Sequence, residues 1–185
     1  MTPASTAAIA PSMNCHLVVA AATALLEQCR QITAILPVTV YASDSRTLAG
    51  GTIGKHLRHV LDHFQAIVAA ADSGEVVDYD RRERNVPMES RPEVAVEQLG
   101  LMLARLATFR SAEADLPLRI RIMVSADGGQ VDVASTFARE LAFATHHAVH
   151  HQAMIAAIAR EFGVSVDKAF GKAPSTVAHE AGAAR

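Results

Sequence analysis

The sequence predicts an all-α fold: closely packed helices, with one small β-hairpin before the last long helix. Three observations predict it. Half of the 185 residues are apolar and 36 are alanine, while aromatic residues make up 4% and tryptophan is absent. Small, strongly helix-forming side chains favour helices packed close together over a sheet sandwich. Apolar residues recur at helical spacing over four long stretches. Only Pro117–Val124 and Val131–Val133 alternate at period two, with Asp127, Gly128 and Gly129 between them, which is a hairpin pattern.

Helix one is predicted from about Ser12 to Leu36, stopped by Pro37, with Leu17, Val18, Ala21, Leu25, Ile32 and Ile35 on its apolar face. Gly50-Gly51 breaks the following loop. Thr52 is placed to cap helix two, which runs to about Ala71 and ends at Asp72-Ser-Gly74. The 18 residues from Ser73 to Ser90 form a link without a helical pattern. Extended, it could span roughly 60 Å, enough to return the chain to the other end of a bundle and set helices two and three parallel, a known variation on four-helix bundles. The link carries Tyr79, Asp80, Arg81, Arg82, Arg84 and Glu89, groups suited to the mouth of a site. Helix three opens at Arg91-Pro92-Glu93, with proline at an early position and an acid in the first turn. Leu99, Met102, Leu103, Leu106 and Phe109 form its stripe. Ser135 or Thr136 caps helix four, which ends near Gly163. One domain over 1–185 is expected, with 1–11 as a poorly ordered lead of polar and small residues.

Charge and cysteines exclude several classes. Net charge is −2 with a pI near 6.5, and the short Arg81-Arg82-Glu83-Arg84 run contains an acid, so no nucleic-acid surface is expected. Cys15 and Cys29 show no CxxC spacing and read as reduced core cysteines of a cytoplasmic protein. No apolar run reaches the length of a membrane span, and no positively charged segment suggests a secretory signal.

Chemistry concentrates in the histidines. Seven of the nine lie in two short windows. In helix four, His147 and His151 stand one turn apart, about 40° around the axis, a spacing at which two imidazoles can hold one metal ion. Phe137, Ala144, Ala148, Ile155, Ile158 and Phe162 share their face, whereas His150 lies about 100° and His146 about 140° away. In helix two, His56, His59 and His63 share a face beside the stripe of Ile53, Leu57, Val60, Phe64 and Ile67. Two ligands from one helix and a third from the other leave coordination positions open, the economy of a catalytic site. His59 and His63 both qualify as that third ligand, His63 lying nearer the centre of the stripe. His56 reads as a flank residue, Asp62 as solvated, and Glu140 as a first-turn acid at a helix N-terminus.

These windows resemble a known family. Thr52-Ile-Gly-Lys-His-Leu-Arg-His59 is similar to the start of the second helix in the DinB-like (DNA-damage-inducible) superfamily, His59 matching its first metal histidine. His147-Ala-Val-His-His151-Gln-Ala-Met-Ile155 resembles the fourth-helix phrase, with His147 and His151 matching the second and third ligands. Phe170-Gly-Lys-Ala-Pro-Ser-Thr176 resembles the C-terminal segment. Gln152, Ala153 and Met154 depart from the arginine-glycine-glutamine run of that phrase. The resemblance implies a four-helix bundle of up-down-down-up order with a long crossover between helices two and three. It also implies one divalent metal ion on His59, His147 and His151, nickel or zinc first and manganese or iron next.

Relatives include thiol-cofactor S-transferases, a mycothiol-dependent isomerase and metal-dependent hydrolases. The expected function is therefore a metal-dependent enzyme of hydrolase or thiol-transferase type. A non-enzymatic metal-binding or stress-response bundle is the alternative, since no general base stands out. The expected partners are a small-molecule substrate, with a thiol cofactor in the transferase case, and a second copy of the chain in a homodimer. No nucleic acid and no membrane are expected.

Overall fold

In the computed structural model, the described residues are 15–81, 85–109 and 113–183. The expected lead at 1–11 and residues Arg82 and Arg84 of the link lie outside them. The helices are α1 (Cys15–Ile35), α2 (Val38–Ala42), α3 (Ile53–Ser73), α4 (Pro92–Leu106), α5 (Phe137–Glu161) and α6 (Pro174–Ala183). The strands are β1 (Val77–Asp78), β2 (Pro117–Met123) and β3 (Gln130–Thr136), and a 3-10 turn covers Pro87–Glu89.

This corrects the expected all-α, up-down-down-up four-helix bundle with a lone hairpin. The described chain holds six helices and a three-stranded mixed sheet of order β1-β2-β3. The hairpin is present as β2 and β3, paired antiparallel from Pro117↔Thr136 to Met123↔Gln130. The extra strand comes from the link: Val77 and Asp78 pair parallel with Ile120 and Arg121. Val77 is buried in the core, so apolar burial fixes a strand too short to leave a periodic signature. Two further helices were not expected. In α2, Tyr41 is fully buried and donates to Met88 O at 2.6 Å, so tertiary contact overrides the β-branched run beside it. Helix α6 has no buried residue and leaves no apolar stripe to read.

Four long helices surround the core. Helix α1 packs on α4 and α5, and α3 packs on the same two. Helix α3 starts as expected, Thr52 Oγ1 accepting from Lys55 N at 3.0 Å. It buries Ile53, Leu57, Val60, Phe64 and Ile67. Helix α5 is capped by Thr136 and buries Phe137, Ala144, Ala148, Ile155 and Ile158.

Two glycines set the spacing around the site. A Cβ at Gly54 would lie 2.0 Å from Glu89 O and 2.8 Å from Tyr41 Cε1, so the 3-10 turn rests directly on the first turn of α3. Gly171 has φ +79° and a Cβ position 2.5 Å from Ala153 N, which seats the C-terminal segment on α5 just beyond His151.

Candidate metal centre

Helices α3 and α5 lie side by side and bring their histidines face to face. His63 and His151 are buried at 6% and 8% exposure. His56, His59 and His147 are half-buried, while His146 and His150 are exposed, in keeping with the helical wheel. His59, His63 and His147 each bring one ring nitrogen within 4.8 Å of the other two. This group can hold a metal ion. His151 adjoins it, with Nε2 3.1 Å from His147 Nε2. Thus the structure groups the expected His59 and His147 with His63, the alternate helix-two ligand, and keeps the expected His151 3.1 Å from His147.

The ring nitrogens meet in a way that hydrogen bonding alone serves badly. His147 Nε2 lies 2.9 Å from His59 Nε2 and 3.1 Å from His151 Nε2. An imidazole nitrogen carries either one proton or one in-plane lone pair, so it makes one good hydrogen bond, not two. A cation shared by the nitrogens of His59, His147 and His151 would satisfy both approaches at once. With metal–nitrogen bonds of about 2.05 Å, the ligand–ligand edge of a tetrahedron is about 3.4 Å, close to both spacings.

Proton positions follow for His63. Its Nδ1 lies 3.0 Å from the carbonyl oxygen of His59. A carbonyl only accepts, so Nδ1 carries the proton and Nε2 carries the lone pair, which is the state a metal ligand needs. His56, expected to flank the site, instead touches it: its Nδ1 is 3.1 Å from His151 Nδ1, and its buried Nε2 has no hydrogen-bond partner among the described residues.

Burial and neighbouring rings favour the neutral form of His147, His151 and His56. Burial lowers His147 to a pKa of about 4, with His63 and His150 adding to it. Burial lowers His151 to about 3, helped by His59, His147, His56 and His150. His56 is also lowered, by burial and then by His150. A neutral imidazole is the metal-binding form.

Aromatic rings and one carboxylate stand around the histidines. Tyr79 stacks on His63 and Phe143 on His147, with ring centroids 4.7 and 5.8 Å apart. Both also line a cleft of about 470 Å³ between the sheet and α5, floored by Ile120, Ile122 and Val133 and rimmed by Arg139. That volume suits a small molecule. Glu140 is the first-turn acid of α5, as expected, and it does more than face the helix N-terminus. It is fully buried and accepts from the Tyr79 hydroxyl at 2.6 Å, the Ser135 hydroxyl and Arg139 Nη1. Its inward position was legible from the wheel. Its partner was not, because Tyr79 lies 61 residues away in the chain.

Other link residues do not face the histidines. Glu89 accepts from Arg58 Nη1 at 2.7 Å, and Arg58 Nη2 is 3.4 Å from Asp62 Oδ2, so Asp62 is half-buried and paired rather than solvated. Asp80 accepts from Met123 N, and Arg81 lines a separate cleft with Arg58 and Asp62. Gln152 turns away from the site, with Nε2 3.2 Å from Leu25 O and 3.5 Å from Cys29 Sγ. Cys29 is a free, buried thiol pushed up to about 12 by burial. The side chain of Cys15 lies outside the described residues.

Comparison with known proteins adds one relative. FK506-binding protein 5 of Rhizopus delemar is 35% identical over 118 residues, 63% of this chain and 31% of that protein. The match therefore spans under a third of the relative's length. No family model matches the chain, and no solved structure does.

Proposed function

We propose that this chain is a DinB-like, metal-dependent enzyme of hydrolase or thiol-dependent S-transferase type, binding one divalent ion through His59, His63 and His147. The convergence of these three nitrogens within 4.8 Å carries the reading. An all-imidazole donor set suits zinc or nickel first, and iron or manganese less well. When bound, such an ion supplies Lewis acidity towards a water or a thiol. The chain's own residues do the rest. His59 and the neutral His147 meet through Nε2 at 2.9 Å, the His59 carbonyl fixes the tautomer of His63, and Tyr79 and Phe143 separate the ring nitrogens from a cleft of small-molecule size. No helix among the described residues is long and apolar enough to cross a membrane. With a reduced thiol at Cys29, that fits the cytoplasm as the proposed compartment.

One observation favours a second reading, a non-enzymatic metal-binding protein. His151 Nε2 stands 3.1 Å from His147 Nε2, so a fourth imidazole is at hand to close the site, and closed four-ligand sites are usually structural.

Metal analysis of tag-free protein tests the reading. About one divalent ion per chain is expected, with His59→Ala, His63→Ala or His147→Ala each weakening binding about a hundredfold or more, yet measurably, and His146→Ala or His150→Ala leaving it within a few-fold. Less than about a tenth of an ion per chain after incubation with zinc, nickel and manganese refutes it. Exchange of a bound water with bulk solvent, measured by relaxation on the manganese-loaded protein, separates the open site from the closed one.

A further inference from the structure

Tyr79 is not a histidine, yet it makes a flat, close ring contact at the site. Its ring lies on that of His63 with centroids 4.7 Å apart and planes 15° apart. Its hydroxyl donates to Glu140 Oε2 at 2.6 Å. Glu140 Oε1 accepts from the Ser135 hydroxyl and from Arg139 Nη1 at 2.6 Å.

A fully buried carboxylate is costly unless donors surround it. Here three donors do, one of them cationic. Burial works against the charge of Glu140, but the bonds from Ser135, Tyr79 and Arg139 outweigh it and hold the carboxyl below its usual range. The phenol is pushed far up, first by burial and then by Glu140. Tyr79 is therefore a neutral donor whose proton is committed to Glu140. It acts neither as a base nor as a phenolate ligand. What remains to its ring is the stacked contact with His63 and a tilted one with Phe143.

The rings of His59, His147 and Phe143 also touch His63, edge-on or tilted, and Tyr79 adds a nearly parallel contact. The bond from Nδ1 to His59 O selects the tautomer. That bond by itself does not stop the ring rocking about it. A ring stacked on one face stops the rocking, and the anchor on α5 stops the stacked ring from sliding. We infer that Tyr79, anchored by Glu140, is a positioning residue that aims His63 Nε2 at the point shared with His59 and His147. This rests on the metal reading above.

The test is zinc affinity, by competition with a chromophoric chelator, together with the visible spectrum of the cobalt(II)-loaded full-length chain. Tyr79→Leu is expected to weaken zinc binding about tenfold or more, the usual cost of losing a group that orients a ligand. Its cobalt spectrum is expected to move towards that of His63→Ala. Because Tyr79 acts through His63, Tyr79→Leu should cost nothing further once His63 is alanine. Tyr79→Phe keeps the ring, cuts only the bond to Glu140 and carries less risk to folding. It should lose a few-fold in affinity, again only when His63 is present.

A cost that persists undiminished in the His63→Ala background marks a merely structural effect and overturns the inference. So does a cobalt spectrum of Tyr79→Leu identical to wild type. If wild type binds zinc and His63→Ala binds it equally well, the inference falls together with His63's place in the ligand set, while a metal site on the remaining histidines stands. If wild type binds no metal, the metal reading itself has failed.

Discussion

Acidifying the metal-free protein should destabilise it through His147 and His151 in particular. In an unfolded chain a histidine titrates near 6.5. In the folded protein burial lowers His147 to about 4 and His151 to about 3. The unfolded state therefore takes up these two protons first as pH falls. The contribution to stability is fully present above about pH 6.5 and is lost progressively down towards the folded pKa values.

Between about pH 7.5 and pH 4.5, each group loses about two pKa units of linkage, or about 2.7 kcal/mol at about 1.4 kcal/mol per unit. His151 is buried and counts in full. His147 is half-exposed, and solvent screening roughly halves its share. The sum is about 4 kcal/mol. That is a large part of the stability of an ordinary domain, and about 10 °C in Tm for a chain of this size. Thermal melts followed by circular dichroism in chelator, for wild type and for His147→Gln/His151→Gln, isolate this contribution from the carboxylates, which titrate in both. The stability gap between the two proteins should narrow, or reverse, by about 4 kcal/mol on acidification. A gap constant to within about 1 kcal/mol would refute the burial argument.

Three substitutions test the framework around the site. Gly54→Ala drives a methyl group into backbone, 2.0 Å from Glu89 O, and should cost about 3 kcal/mol or more by urea denaturation. Gly100→Ala, with nothing within 4 Å, should be neutral or stabilising by up to about 1 kcal/mol. Gln152→Leu removes a buried donor to Leu25 O and should cost about 1–2 kcal/mol with zinc affinity unchanged, because the side chain serves the α1–α5 contact and not the histidines.

The helices that carry the site were legible because their pattern is local. Thr52 and Thr136 announce where α3 and α5 begin, and the apolar stripes orient both histidine windows before any partner is known. The wheel separated exposed His146 and His150 from the inward pair for the same reason. The choice between His59 and His63 as the helix-two ligand was not legible, and the structure brings both beside His147 with His151 alongside. What the second nitrogens meet was equally hidden: a carbonyl on the same helix for His63, and the imidazole of His56 for His151. Periodicity says which face a residue takes, not which way a ring is flipped. His56 was misread on the same account, since a flank position on α3 becomes a contact position once α5 lies alongside.

The third strand and the aromatic contact on His63 share one origin, the stretch from Ser73 to Ser90. Treated as an unpatterned link, it implied a bundle with a lone hairpin, and it set Tyr79 at the mouth of the site without a partner. In the structure Val77 plugs into the core and pairs with Ile120, which sets the register of the strand. Two residues later Tyr79 is delivered onto His63 and Glu140. Further along, Glu89 clamps Arg58 on α3, and the 3-10 turn fills the hollow that Gly54 leaves. The third strand is thus the piece that ties the sheet to the histidines. Each of these contacts is long-range in sequence and rests on one or two residues, too few for any period to reveal. A short strand that looks like a minor addition to the fold is what gives His63 its stacked neighbour and Glu140 its phenol donor.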